Sequence, residues 1–159
     1  MRIINDFLFL AALVILSSCG SRTIEDSQIP ATKENKAVFD VLLKYKAALE
    51  SRDPDAILAL VSKNYLENGS TTDTDTDDYG YDQLKNEVLP KLLDNVKAIQ
   101  FRYRVKNITI VGERSRLAYE YTTSFLYAEG GREGWHTKND LDEMQLILEN
   151  GAWKIISGL

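Results

Sequence analysis

Near residue 96 the apolar residues of this chain change their spacing, and no all-helical or all-strand fold accommodates both halves. Before that point Val38, Val41, Leu42, Tyr45 and Leu49 recur at the three- and four-residue intervals of one helix face. After it Ile99, Phe101, Tyr103 and Val105 alternate with Gln100, Arg102, Arg104 and Lys106, the two-residue period of a strand with one wet side. Helices first and strands afterwards, in a chain of 159 residues, imply one α+β domain. Its antiparallel sheet lays an apolar face on the helices.

The first helix is expected over residues 33–51. Asp53-Pro54 then opens a second, because an aspartate side chain accepts from free amides at a helix start and proline suits the first helical position. Ile57, Leu58, Val61 and Tyr65 supply its inner face. A polar loop over residues 68–81 follows. A third helix starts near Asp82 with Leu84, Val88, Leu89 and Leu92 facing inward, and Pro90 is expected to kink or restart it.

The apolar parity of the first strand slips at Asn107, to Ile108 and Ile110, which predicts a bulge that bends it. A turn around residues 112–115 leads to a second long strand carrying Leu117, Tyr119, Tyr121, Phe125 and Tyr127. Gly130 and Gly131 mark the next turn, a third strand runs from Trp135 to Leu148, and Asn150-Gly151 is a strong hairpin signal before Trp153.

The first 18 residues read as an address rather than as part of the fold. Phe7 to Leu16 is an unbroken apolar run behind Arg2, half of what a membrane-spanning helix requires but the right length for a secretory signal. It ends Leu16-Ser17-Ser18-Cys19-Gly20, which resembles a bacterial lipobox, and Cys19 is the single cysteine. The resemblance implies that Cys19 is lipidated and that acyl chains fix the protein to a membrane. Gly20 after the cysteine looks like sorting to the outer membrane, facing the periplasm. Residues 19–33 are expected to be a polar, flexible tether, and residues 34–159 the folded domain.

The net charge of −5 resides in the mature part, since Arg2 and Asp6 cancel. Such a chain lacks the basic footprint of a nucleic-acid binder.

Two helices joined at Asp53-Pro54, a third helix, and a sheet ending in Met144-Gln145-Leu146-Ile147-Leu148-Glu149-Asn150-Gly151-Ala152-Trp153-Lys154-Ile155-Ile156 resemble the nuclear transport factor 2-like superfamily. The resemblance covers residues 34–159. It implies a cystatin-like cone: three helices packed on a strongly curved antiparallel sheet around a pocket, with a homodimer through the outer sheet face in many similar domains. Enzymes in that superfamily, such as ketosteroid isomerases and polyketide cyclases, use Tyr, Asp or His inside the cone.

Proton-transfer chemistry of that kind needs one group to accept a proton and another to donate to developing oxyanion charge. Tyr45 precedes Asp53 by the interval that the oxyanion-donor tyrosine of the steroid isomerases keeps from its helix joint, so the resemblance marks it as a candidate donor. Glu67, Asp140 and Asp142 are the candidate bases, at a register the sequence leaves open. A core-facing tyrosine also simply packs.

Tyr103, Tyr119, Tyr121, Phe125, Tyr127 and Trp135 offer an aromatic lining for a small hydrophobic ligand, with His136, the lone histidine, at the pocket mouth. Core packing explains the same aromatic pattern. Asp73, Asp75 and Asp77 have the alternation of the opening half of a calcium loop, but counting from Asp73 puts Asp78 where glycine belongs and Leu84 where glutamate belongs. No motif demands a cofactor. The sequence therefore points first to a tethered, non-enzymatic domain that binds a small ligand or partner, and second to an isomerase, dehydratase or cyclase acting on a hydrophobic carbonyl compound.

Overall fold

The computed structural model describes residues 23–68, 78–94, 96–129 and 132–159. Residues 1–22, with the expected secretory signal and Cys19, lie outside the described residues, as do Asp73, Asp75 and Asp77.

Helix α1 spans Lys33–Ser51, capped by the Thr32 hydroxyl, which accepts from Asn35 N–H at 3.1 Å. It stops at Arg52, whose left-handed φ of 55° lets Asp53 N–H reach back to the Ala48 carbonyl at 2.9 Å. Asp53 at once caps α2 (Pro54–Leu60), its carboxylate accepting from Ala56 N–H at 2.9 Å. The joint read from Asp53-Pro54 is thus a chain reversal with both helix ends satisfied.

Short strands β1 (Leu66–Glu67) and β2 (Tyr79–Gly80) pair across the polar loop. The third helix runs end to end in three pieces: α3 (Tyr81–Gln83), a π-helical stretch Leu84–Val88, and α4 (Leu89–Leu93). Pro90 has no N–H to give an α-helical carbonyl and its ring crowds that carbonyl. The wider turn, in which Leu89 N–H meets the Leu84 carbonyl, accommodates it without ending the helix.

The main sheet is β3 (Val96–Val111), β4 (Arg114–Glu129), β5 (Arg132–Glu149) and β6 (Ala152–Ser157), antiparallel and in chain order. The register of β3 on β4 slips between Val105 and Asn107, where the parity shift predicted a bulge, and again between Val96 and Ala98. Asn150 and Gly151 both have positive φ, 50° and 80°, the conformation a two-residue hairpin needs.

The core lies between α1, α2, the third helix and the inner sheet face. Val38, Leu42, Ile57, Leu117, Met144, Leu146 and Ile155 are fully buried there, each contributing about 1.5–3 kcal/mol of hydrophobic stabilisation.

Residues 23–32, within the segment expected to be a polar, flexible tether, make local contacts: Ile24 is buried, its N–H donates to the Ile29 carbonyl at 2.8 Å, and Thr23 bridges Pro30. Two isoleucines suffice to draw this otherwise polar segment onto the domain.

Candidate functional site

Between the third helix and the sheet lies a half-enclosed cavity of about 360 Å³. Its helical wall is aliphatic: Leu49 from α1, Ile57 from α2, and Leu84, Val88, Leu89 and Leu92 from the third helix. The sheet contributes Phe101, Tyr119, Tyr121, Thr123 and Phe125, and Leu159 closes one end. Two elements add polarity and charge: α1 with Tyr45, and β5 with Lys138 and Asp142.

The sheet register explains the convergence. Pairing Glu129 with Arg132 sets Asp142 opposite Tyr119, and Lys138 opposite Thr123. Side chains alternate along a strand, so β5 residues of even number share the inner face with Tyr119, Tyr121 and Thr123. Tyr45 crosses above them, its ring edge-on to Phe101 at 5.8 Å, while Phe101 stacks on Tyr121 at 5.8 Å.

Burial raises the pKa of the Tyr45 hydroxyl well above the usual phenol range, and the nearby Asp142 carboxylate raises it further. Tyr119 is shifted the same way, by burial and then by Tyr45 and Asp142. Both hydroxyls therefore stay protonated and are able to donate a hydrogen bond to a ligand.

Asp142 is half-buried. Burial raises its pKa most; the Glu143 N–H, donating at 2.7 Å, works against that rise, the charges of Glu67 and Asp140 add to it, and the Lys138 charge lowers it. Lys138 lies beside the cavity, but its ion pair is with Asp140, at 3.2 Å.

Of the other candidate bases, Asp140 is exposed and held below its usual pKa by the Leu141 N–H and Lys138. Glu67 does not line the cavity. Its carboxylate accepts from the Tyr65 hydroxyl at 2.8 Å, from Gly158 N–H at 2.6 Å and from Leu159 N–H at 3.4 Å. Its work is to fasten the segment whose last side chain closes the cavity.

Of the residues expected to line the pocket, Tyr119, Tyr121 and Phe125 do so and four do not. Tyr103 packs edge-on against Phe39 at 5.8 Å, between α1 and the sheet. Tyr127 meets His136 at 5.6 Å beyond the cavity, and His136 is exposed. Trp135 pairs with Leu126 on the outer face and is 48% exposed. Neighbours on a strand point to opposite faces, so Trp135 and His136 cannot share a lining.

Lys138 and Thr123 were not singled out from the sequence, although strand parity and the Gly130-Gly131 turn together contained the signal; the third-helix leucines were read as inward-facing but not as a pocket wall. No cluster of metal-ligating side chains occurs among the described residues, and none of their helices is long and apolar enough to cross a membrane.

No family model and no curated protein matches the chain. Solved structures do. A Novosphingobium aromaticivorans protein assigned as a scytalone dehydratase superposes with a TM-score of 0.68 over 79% of this chain and 80% of its own, at 13% identity. A Streptomyces avermitilis protein of the nuclear transport factor 2-like family, assigned as a dehydratase, gives 0.66 over 79% and 93%, at 11% identity. A ketosteroid isomerase-like protein of Erwinia carotovora atroseptica gives 0.63 over 80% and 94%, at 15% identity. With its three helices on a bent four-stranded antiparallel sheet and a cavity between them, the chain has the fold of the nuclear transport factor 2-like superfamily.

Proposed function

We propose that this chain is a lipid-anchored protein of the bacterial cell envelope whose cone cavity binds a small hydrophobic ligand without transforming it. The observation that carries the reading is the cavity itself: about 360 Å³, aliphatic on the helical side, aromatic on the sheet side, with a few hydroxyls and one half-buried carboxylate. That balance of apolar wall and sparse polar groups is what small-molecule sites share. Anchoring through Cys19, and export to the periplasmic side of the outer membrane, rest on the Leu16 to Gly20 pattern.

Radiolabelled palmitate fed to producing cells tests the anchor: label is expected on the protein and absent after Cys19→Ser. Thermal-shift screening with small aromatic and aliphatic compounds tests the cavity. Leu92→Trp, which fills it from the side, is expected to abolish the shifts that the unmodified protein gives. The same reading has a second copy of the chain against the outer sheet face, where Trp135 and Leu141 are 48% and 64% exposed.

A second reading, an isomerase, dehydratase or cyclase acting on a carbonyl compound, is favoured by one observation: Tyr45 and Asp142 line one cavity. In it Asp142 takes a proton next to the carbonyl, and the Tyr45 hydroxyl donates to the developing oxyanion. Its test is deuterium exchange at carbons beside the carbonyl of apolar ketones. Exchange lowered about 100-fold or more by Asp142→Asn supports it; exchange indifferent to that substitution rejects it.

A further inference from the structure

Asp142 is a carboxylate on the wall of an apolar and aromatic cavity, and among the described residues no cation pairs with it directly. Its one hydrogen bond there is from the Glu143 N–H. Lys138 has its ion pair with Asp140 at 3.2 Å and acts on Asp142 only as a more distant charge, the last of the influences on its pKa. Glu67, behind the wall, adds a second carboxylate that is fastened by hydrogen bonds rather than by a cation. Of the two charged residues on the lining, Lys138 has its ion pair with Asp140 and Asp142 has none among the described residues.

The rings around Asp142 complete the picture. Tyr45, Phe101, Tyr119 and Tyr121 are in mutual contact, with centroids 5.8–6.3 Å apart from Phe101 to each of the other three. Ring faces attract cations through their quadrupole. Lys138 illustrates the affinity, its Nζ lying 5.8 Å from the Tyr121 ring centroid. A half-buried carboxylate framed by aromatic rings is a receptor for an ammonium group on an apolar body.

We infer that the ligand of this cavity is an apolar amine: its ammonium pairs with Asp142 against the Tyr45, Tyr119 and Tyr121 rings, and its hydrocarbon body rests on the third-helix leucines. The inference rests on the ligand-binding reading above and adds the ligand's charge to it. The burial and neighbouring carboxylates that raise the pKa of Asp142 are what such a cation relieves.

Calorimetric titration with phenethylamine, phenethyl alcohol and phenylpropionate at neutral pH tests it. These share a phenyl body and differ in charge. The amine is expected to bind about tenfold tighter than the alcohol, and the carboxylate more weakly than either. Asp142→Asn, which preserves shape, should erase the preference, weakening the amine about tenfold relative to the alcohol. Lys138→Gln, farther from the core and safer for folding, should strengthen amine binding relative to the alcohol.

If the alcohol binds as well as the amine, or Lys138→Gln weakens the amine, the inference is overturned while ligand binding stands. If none of the three binds, both fall.

Discussion

Gly158 shows how closely single residues are constrained at the cavity's closed end. Its φ is +90°, and a Cβ built on it would lie 2.3 Å from the Glu143 carbonyl oxygen. Both backbone conformation and space require glycine there. Gly158→Ala is expected to lower stability by about 1–3 kcal/mol in urea denaturation, and to loosen Leu159 from the cavity. At this scale the sequence was partly legible. Tyr45 could be placed on an inward helix face from spacing alone. Asp142 could not be separated from Asp140 and Glu67, because its position depends on the pairing of β4 with β5. Trp135 misled for the same reason, since its size advertised a lining role that its parity forbids.

Among the elements, the edge strand β3 is the one most in need of protection, since only β4 pairs with it. Helix α1 supplies that protection with two side chains one turn apart. Lys46 Nζ donates to the Phe101 carbonyl at 2.7 Å, Glu50 accepts from Phe101 N–H at 2.8 Å, and the two form an ion pair. Burial alone would raise the pKa of Glu50, but the Lys46 and Phe101 hydrogen bonds outweigh it and the net shift is downward.

A carboxyl held below its unfolded pKa stabilises the fold fully above the ordinary carboxylate range and loses that contribution as pH falls through the lowered value. Glu50→Ala should therefore cost about 1–3 kcal/mol at neutral pH, with a smaller deficit relative to the unmodified protein in acid, as measured by denaturation at several pH values. Helix α1, the Asp53-Pro54 start, the bulge before Asn107 and the Asn150-Gly151 turn were all legible, because each has a local cause. The π-helical stretch was legible only as a disturbance near Pro90. The packing of Ile24 was not, since two apolar residues in a polar segment carry no period.

Over the whole molecule, bending the sheet against three helices leaves the space that the side chains do not fill. The α+β class followed from the change of period, but a cavity is a property of the volume between elements, and no spacing in the chain records it. The outer sheet face makes a separate prediction. If a second copy covers Trp135 and Leu141, Leu141→Glu should convert a dimer to a monomer in sedimentation velocity without changing the circular dichroism. A protein monomeric from the start would remove that part of the account.

The most direct measurement is methyl NMR during titration with phenethylamine. The account predicts progressive shifts of the Leu84, Leu89, Leu92 and Leu159 methyls, with Leu126 and Leu141 on the outer face unmoved. Shifts confined to Leu126 and Leu141, or none at saturating amine, would contradict it.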